Sequence, residues 1–292
     1  MRYSKVDVDG VEIFFREAGP SDAPALLLLH GFPSSSHMFR NLMPLVSDRY
    51  RVIAPDYPGF GQSAFPDRNS FSYTFDSFAR IIARFIEKIG LQRFSIYIQD
   101  YGAPVGLRLA LAYPERIAGL VVQNGNAYEE GLSQAWSPLR DYWQDPTPLK
   151  RERLRGWLDA EGVRQQYVGG VPARLLPLFS PDTWTLDWAL LQRPGNLEVQ
   201  LDLFYDYRTN LSLYPEFHDF FRRYQRPTLI IWGRHDPFFT TAGAEAYLRD
   251  LPHAELHYLD SGHFALETHS RQVAGLIRTF LASAETALLE HA

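Results

Sequence analysis

Between Phe94 and Ala112 a short, largely apolar run, Phe94-Ser-Ile-Tyr-Ile-Gln99, meets a helical pattern through a bend that holds one aspartate, Asp100. A run this short, bounded by turn residues, reads as a strand buried on both faces, and a strand leading directly into a helix is half of a βαβ unit. The unit recurs along the chain. Ala25 to Leu29 and Arg51 to Ala54 read as further buried strands, Thr74 to Ile89 as a helix closed by Gly90, and Gly119 to Gln123 as the strand after the Gly102 to Ala112 helix. Ser34 to Val46, with its serine cluster suited to capping, reads as another helix. Val6 to Asp9 and Val11 to Glu17 alternate around Asp9-Gly10, the pattern of an antiparallel hairpin at a sheet edge. Elements in this order predict an α/β fold: a mostly parallel central sheet with helices on both faces.

From about Ala127 the pattern changes. Residues 128 to 213 hold Trp136, Trp143, Trp157, Trp184 and Trp188 among many Tyr, Pro and Arg residues, with helical patches and no strand run. A helical cap over 127–213 is therefore expected, inserted into a core domain formed by 1–126 and 214–292. The βα pattern then resumes: Thr228 to Trp232 as a strand, Thr240 to Leu251 as a helix, Ala254 to Leu259 as a strand and Phe264 to Leu281 as the last helix, with a frayed end after Ala282.

With 292 residues, 46% of them hydrophobic, the chain can bury one large core. The net charge of -5 and the absence of a basic block argue against nucleic acid or an anionic membrane surface as partner. Without cysteine there is no disulfide, thiolate metal site or thiol nucleophile, which fits a cytoplasmic setting. The polar, alternating start of the chain is not expected to be a signal peptide, and no apolar run reaches membrane-spanning length.

Three residues stand just beyond strand ends in the order Asp100, Asp236, His263. Open parallel sheets bind ligands beyond the carboxyl ends of their strands, so all three are expected to converge there. Nucleophile, acid and histidine in that chain order suit a hydrolytic triad. An aspartate in the nucleophile's place changes the chemistry. A serine that attacked a saturated carbon would form an ether, which water cannot remove; a carboxylate forms an ester, which water cleaves at the carbonyl. Phe32, in the turn after the first parallel strand, and Tyr101, at the start of the helix after the nucleophile, are expected to aim backbone N–H groups at the site as an oxyanion hole.

Four segments carry a resemblance over essentially the whole chain: His30-Gly31-Phe32-Pro33, Asp56-Tyr-Pro-Gly-Phe-Gly-Gln-Ser63, Gln99-Asp100-Tyr101-Gly102 and Ser261-Gly262-His263-Phe264. The sequence resembles an α/β-hydrolase of the branch that contains epoxide hydrolases and haloalkane dehalogenases. The resemblance implies the α/β-hydrolase fold with a helical cap and Asp100 as nucleophile. It separates the two activities by departures. Haloalkane dehalogenases typically carry Trp after the nucleophile and often Asn after His-Gly, to hold the halide; here Tyr101 and Phe32 stand there. Fluoroacetate dehalogenases carry Arg beside the nucleophile, which this chain lacks. Epoxide hydrolases typically have His-Gly-Phe-Pro and a cap tyrosine in a Tyr-Arg-x-Asn setting, which Tyr207-Arg208-Thr209-Asn210 matches. Ile98 departs from that pattern, since epoxide hydrolases usually have Gly there.

The resemblance thus implies an epoxide hydrolase, with the haloalkane dehalogenase as the alternative and a non-catalytic receptor on the same fold as a third reading. Asp100 attacks an epoxide carbon, Tyr207 protonates the leaving oxygen with Tyr142 as a second donor, and His263, oriented by Asp236, activates water against the ester. Leu139 and Trp143 are expected in the substrate pocket. His30 and Asp56 are read as braces of their loops. The implied partners are a small hydrophobic epoxide, or a haloalkane, and water, with no metal or organic cofactor. The protein is expected to be a monomer or homodimer.

Overall fold

The computed structural model describes residues 1–290. Eight strands form one sheet: β1 (Arg2–Val8), β2 (Val11–Ala18), β3 (Ala25–Leu29), β4 (Arg51–Pro55), β5 (Phe94–Gln99), β6 (Ile117–Gln123), β7 (Thr228–Gly233) and β8 (Glu255–Leu259). Their order is β1-β2-β4-β3-β5-β6-β7-β8. The pairs β1–β2 and β2–β4 are antiparallel and the other five pairs are parallel. The edge hairpin turns at Asp9 and Gly10, both with positive φ, as expected from the Asp-Gly pair.

Every residue of β5 and β7 is buried, the signature of interior parallel strands covered on both faces. Successive side chains feed opposite cores. Leu27, Leu29, Ile96 and Ile98 pack on one side of the sheet; Leu26, Leu28, Tyr97 and Val121 pack on the other.

The core helices before the insertion are α1 (Met43–Val46), α2 (Phe75–Lys88) and α3 (Gly102–Ala112). Thr74 caps α2 by accepting from the Ser77 amide, and Phe75, Phe78, Ile82, Phe85 and Ile86 form its buried face. The single helix expected over Ser34 to Val46 is instead a 3-10 turn, Ser36–Phe39, followed by the short α1. Pro44 lies in the first turn of α1, a position that needs no amide hydrogen, and so favours a fresh start there over continuation.

Between β6 and β7 the chain is helical. The elements are α4 (Ser137–Gln144), α5 (Pro148–Arg153), α6 (Ala160–Val168), α7 (Pro181–Leu191), α8 (Asn196–Asp206), α9 (Arg208–Ser212) and α10 (Tyr214–Tyr224), with several 3-10 turns between them. No named strand interrupts them among the described residues. The chain then returns through β7, α11 (Thr241–Asp250), β8 and α12 (Leu266–Glu290). The tail after Ala282, expected to fray, is helical as far as Glu290; its last two residues lie outside those described. Among the described residues no helix is long and apolar enough to cross a membrane.

Candidate active site

The carboxyl ends of β3, β5, β6, β7 and β8 gather the site. β5 ends at Gln99, and Asp100 turns the chain with φ of 49°, a region that residues other than glycine seldom enter. The bend is tight because glycines flank it. A Cβ on Gly31 would stand 2.3 Å from the Asp100 Cβ, and one on Gly102 would stand 2.2 Å from the Leu29 carbonyl oxygen. Ile98, the apolar departure two residues before Asp100, finds its room on the following helix. A Cβ on Gly106 would lie 2.5 Å from the Ile98 Cγ2, so a glycine on α3 supplies the space that the strand does not.

The Asp100 carboxylate is buried and Oδ1 accepts the Phe32 amide at 2.6 Å; the Tyr101 amide also bonds to it. Burial pushes this carboxyl up to about 6, while His263 and the two amides pull it back. With Oδ1 held by the Phe32 amide, Oδ2 is the freer oxygen, and it lies 3.9 Å from His263 Nε2.

His263 Nδ1 stands 2.7 Å from Asp236 Oδ2, so this nitrogen carries the proton and donates it. Asp236 Oδ1 accepts the amides of Phe238 at 2.7 Å and Phe239 at 3.1 Å. Burial works to lower the His263 pKa, but the charge and hydrogen bond of Asp236, helped by Asp100, outweigh it and hold the imidazole above its ordinary value.

Two residues at this site escaped the sequence reading. Asn124, directly after β6, donates from Nδ2 to Asp236 Oδ2 at 2.8 Å, and its backbone oxygen accepts the Asp100 amide at 3.3 Å. The side chain therefore orients the acid while the backbone fixes the bend. A polar residue closing an otherwise apolar strand was the available signal. Gln99 Nε2 lies 2.9 Å from His263 Nε2 and, with the proton on Nδ1, donates into the ring's free lone pair. Gln99 stands in one of the four matching segments, but nothing there marks its side chain as a partner of His263.

Tyr207 is buried across from Asp100. Its ring meets Phe75 edge-on at 5.5 Å, packs at 4.5 Å from Trp136 and stacks on Trp143 at 6.1 Å with 3° between the planes. The residues around it are fastened to the core. Arg108 of α3 donates to Asn210 Oδ1 at 2.6 Å and Thr209 Oγ1 at 3.1 Å, while Asp206 Oδ2 accepts the Phe75 amide at 2.8 Å. The Tyr207 hydroxyl itself has no well-formed hydrogen bond among the described residues. Its neighbour is the Tyr214 hydroxyl, which takes a bond from Asn126 Nδ2 at 3.1 Å.

Asp100, Tyr207, Phe32, Tyr101 and Leu139 line one cavity, completed by Trp136, Trp157, Gln166, Phe204 and Phe238, with about 30 Å³ of free space. That volume suits a water molecule or two, so a larger guest must displace the aromatic wall. Two residues expected here lie elsewhere. Tyr142 is not in the cavity; it packs on Tyr205 at 5.2 Å and bonds to Arg151. Trp143 does not face the cavity either. One helical turn, about 5.4 Å, beyond Leu139, it stands behind Tyr207 and donates from Nε1 to the Phe204 carbonyl at 2.7 Å. A larger open cleft, about 820 Å³, lies at the 65–74 loop and the end of α8 and includes none of Asp100, Asp236 or His263.

His30 and Asp56 hold loops. His30 Nε2 accepts the Tyr57 amide at 3.2 Å, and complete burial pushes its pKa down to about 3, so it is neutral. Asp56 accepts the Ser36 and Gln62 amides, each at 2.7 Å. Among the described residues no cluster of metal-ligating side chains occurs.

A family model for the alpha/beta hydrolase fold matches residues 24–270. The chain belongs to that family, and it is a hydrolase of the α/β fold. It is 48% identical over 278 residues to an uncharacterized hydrolase of Saccharomyces cerevisiae, covering 94% of each chain. It is 41% identical over 116 residues to a haloalkane dehalogenase of Bradyrhizobium diazoefficiens, covering 40% of this chain and 36% of that one. It is 27% identical over 277 residues to a cis-3-alkyl-4-alkyloxetan-2-one decarboxylase of Shewanella oneidensis, covering 89% and 83%. Among solved structures, a loop variant of a haloalkane dehalogenase from Bradyrhizobium elkanii superimposes with a TM-score of 0.82 at 23% identity, covering 100% of this chain and 99% of that one, which is a likeness of fold.

Proposed function

We propose that this hydrolase opens an epoxide to a vicinal diol through an ester on Asp100, with residues 127–213 serving as its cap. The observation that carries the reading is the buried Tyr207 hydroxyl, beside that of Tyr214 and without a well-formed hydrogen bond, in the same cavity as the Asp100 carboxylate. An alkoxide is a poor leaving group in a dry site and needs a proton as it departs. Oδ2 of Asp100 attacks one ring carbon as the C–O bond breaks, and Tyr207 gives its proton to the departing oxygen. Water then displaces the Gln99 amide from His263 Nε2 and loses a proton to that nitrogen. The resulting hydroxide attacks the Asp100 carbonyl carbon. Negative charge develops on Oδ1, where the Phe32 amide already points, with the Tyr101 amide beside the same carboxyl. Collapse frees the carboxylate; of the two water protons, one ends on the diol and the other restores Tyr207. The oxetanone named for the Shewanella oneidensis relative is also a strained oxygen ring, which supports an oxygen leaving group.

The second reading is a haloalkane dehalogenase, with the same ester and a halide leaving group. It is favoured by the name of the Bradyrhizobium diazoefficiens relative and by the Trp157 indole in the cavity wall. Against it, Tyr101 and Phe32 lack the side-chain N–H donors expected beside a halide, and the Trp136 indole already donates to the Phe238 carbonyl at 3.0 Å. Parallel assays of diol from styrene oxide and halide from a bromoalkane separate the two. Strong halide release without epoxide turnover would replace the first reading by the second. One turnover in heavy-oxygen water tests what both share: the heavy isotope enters the Asp100 peptide and the product takes its oxygen from the enzyme.

A further inference from the structure

Ring opening and ester hydrolysis use neither the Tyr101 hydroxyl nor the Gln166 carboxamide of the cavity lining, and of the two the amide is both donor and acceptor at several positions. Gln166, on α6, is only 6% exposed and lines the cavity with Asp100 and Tyr207. Its carboxamide makes no hydrogen bond to a described residue. The residues beside it are fully engaged. Gln165 bonds outward to Glu161 at 2.5 Å. The Tyr167 hydroxyl donates to the buried Asp187, and its ring stacks on Phe264 at 4.0 Å with 18° between the planes. Phe264 directly follows His263, so α6 is anchored against the same loop that carries the base. The direction of Gln166 is therefore set by its neighbours and not by partners of its own.

A carboxamide has two N–H donors and an oxygen acceptor. Burying one without partners is costly, so such a group in a binding cavity is matched by something that enters it. Apart from Asp100, the tyrosines Tyr101 and Tyr207 and the indoles of Trp136 and Trp157, the side-chain wall is apolar: Phe32, Leu139, Phe204 and Phe238. No Lys, Arg or His lines the cavity, and Asp100 brings negative charge when ionised, so an anionic substituent is disfavoured. A hydroxyl both donates and accepts, as the amide does.

We propose that Gln166 is a specificity-determining residue that hydrogen-bonds a hydroxyl group on the substrate, and that the preferred substrates are compact hydroxyl-bearing epoxides, not plain hydrocarbon oxides. The ring chemistry in this statement rests on the proposed function; the role of the amide does not depend on the leaving group.

The test uses matched pairs in which hydroxyl replaces methyl: glycidol against butylene oxide, and bromoethanol against bromopropane. The full-length protein and its Gln166→Met variant, which keeps length and loses the hydrogen bonds, are assayed for kcat/KM on all four. The wild type should favour the hydroxyl member of the pair it turns over by about tenfold, the scale of one neutral hydrogen bond. The variant should lose that preference mainly through KM and keep or improve its rate on the apolar member. A ratio unchanged by Gln166→Met, or a wild-type preference for the apolar member, overturns the proposal. If only the bromo pair turns over, the epoxide reading fails while the ratio still judges Gln166. A wild type inactive on all four overturns both. Gln166→Leu, with thermal unfolding of both variants, guards against a folding defect: restored preference in either folded variant counts against the proposal.

Discussion

The two walls of the Asp100 cavity follow opposite plans. On the sheet wall the acid–base atoms other than Asp100 Oδ2 are already engaged: Asp100 Oδ1 by the Phe32 amide, Asp236 by two amides and Asn124, His263 by Asp236 on one nitrogen and Gln99 on the other. On the helical wall the Tyr207 hydroxyl is buried without a partner of good geometry, and Gln166, 6% exposed, lines the cavity with it. The difference teaches where each task is placed. Charge that develops on Asp100 needs donors fixed beforehand, because reorganising them during reaction would raise the barrier. Groups that greet the substrate need free valences, and the rigid packing behind Tyr207 and Tyr167 keeps those valences aimed.

The most severe way to break this contrast is to remove the proposed base from the sheet wall. His263→Gln is expected to cut turnover by about 10⁴-fold and to leave substrate mass on Asp100, seen by mass spectrometry of the intact protein. A mutant that remains unmodified while the wild type turns over would rule out the two-stage scheme.

Tyr207→Phe removes a free valence from the helical wall. The expected loss is about 10²-fold in ring opening, with hydrolysis of the preformed ester nearly unchanged. Stopped-flow separation of the two steps checks this; equal losses in both would reduce Tyr207 to a packing role.

On the sheet wall, lowering pH acts through Asp100. In the proposed ring opening Asp100 must be ionised to attack, and burial has raised it to about 6. Ring opening should therefore fall about tenfold per unit below that value. A profile flat down to pH 4 would mean that the amides and His263 overcome burial.

Asp187 tests how the helical wall is fastened. Its buried carboxyl is pushed up to about 8 by burial, against the hydrogen bond from Tyr167. The folded state keeps this proton at neutral pH while the unfolded chain has lost it. Stability should fall as pH rises from about 4 to about 8, by order of 1 kcal/mol per unit. Asp187→Asn should flatten that slope in denaturant titrations.

The smallest effect belongs to Tyr142→Phe. Lying outside the cavity, it should change kcat by less than about twofold, within the range of an indifferent substitution. A loss comparable to that of Tyr207→Phe would mean that the cap rearranges during turnover and brings Tyr142 inward.

The sheet wall was legible because strands carry their own address. A buried parallel strand announces itself by an unbroken apolar run, and its carboxyl end is where ligands bind, so Asp100, Asp236 and His263 could be placed together from one dimension. The amides of Phe32 and Tyr101 followed from the same turns. Asn124 and Gln99 stayed hidden because an amide side chain carries no chemistry until a partner stands beside it. The helical wall resisted for a different reason. Leu139, Tyr142 and Trp143 lie within one turn or so of α4, yet only Leu139 reaches the cavity. Which arc of a short helix faces a ligand depends on the angle at which it packs, and aromatic residues on every side leave no polar face to reveal that angle.

By itself the sequence determined the alternation of strand and helix, the sharp bend at Asp100 and the identity of the groups that meet at the sheet's edge. Periodicity and turn chemistry are local, and parallel pairing then brings strand ends together whatever the loops do. Only the tertiary structure decided that Gly106 makes room for Ile98, that Tyr207 stands before Trp143 and that Gln166 faces the cavity unpaired. Those facts depend on contacts between residues far apart in the chain, where close packing, not pattern, selects the arrangement.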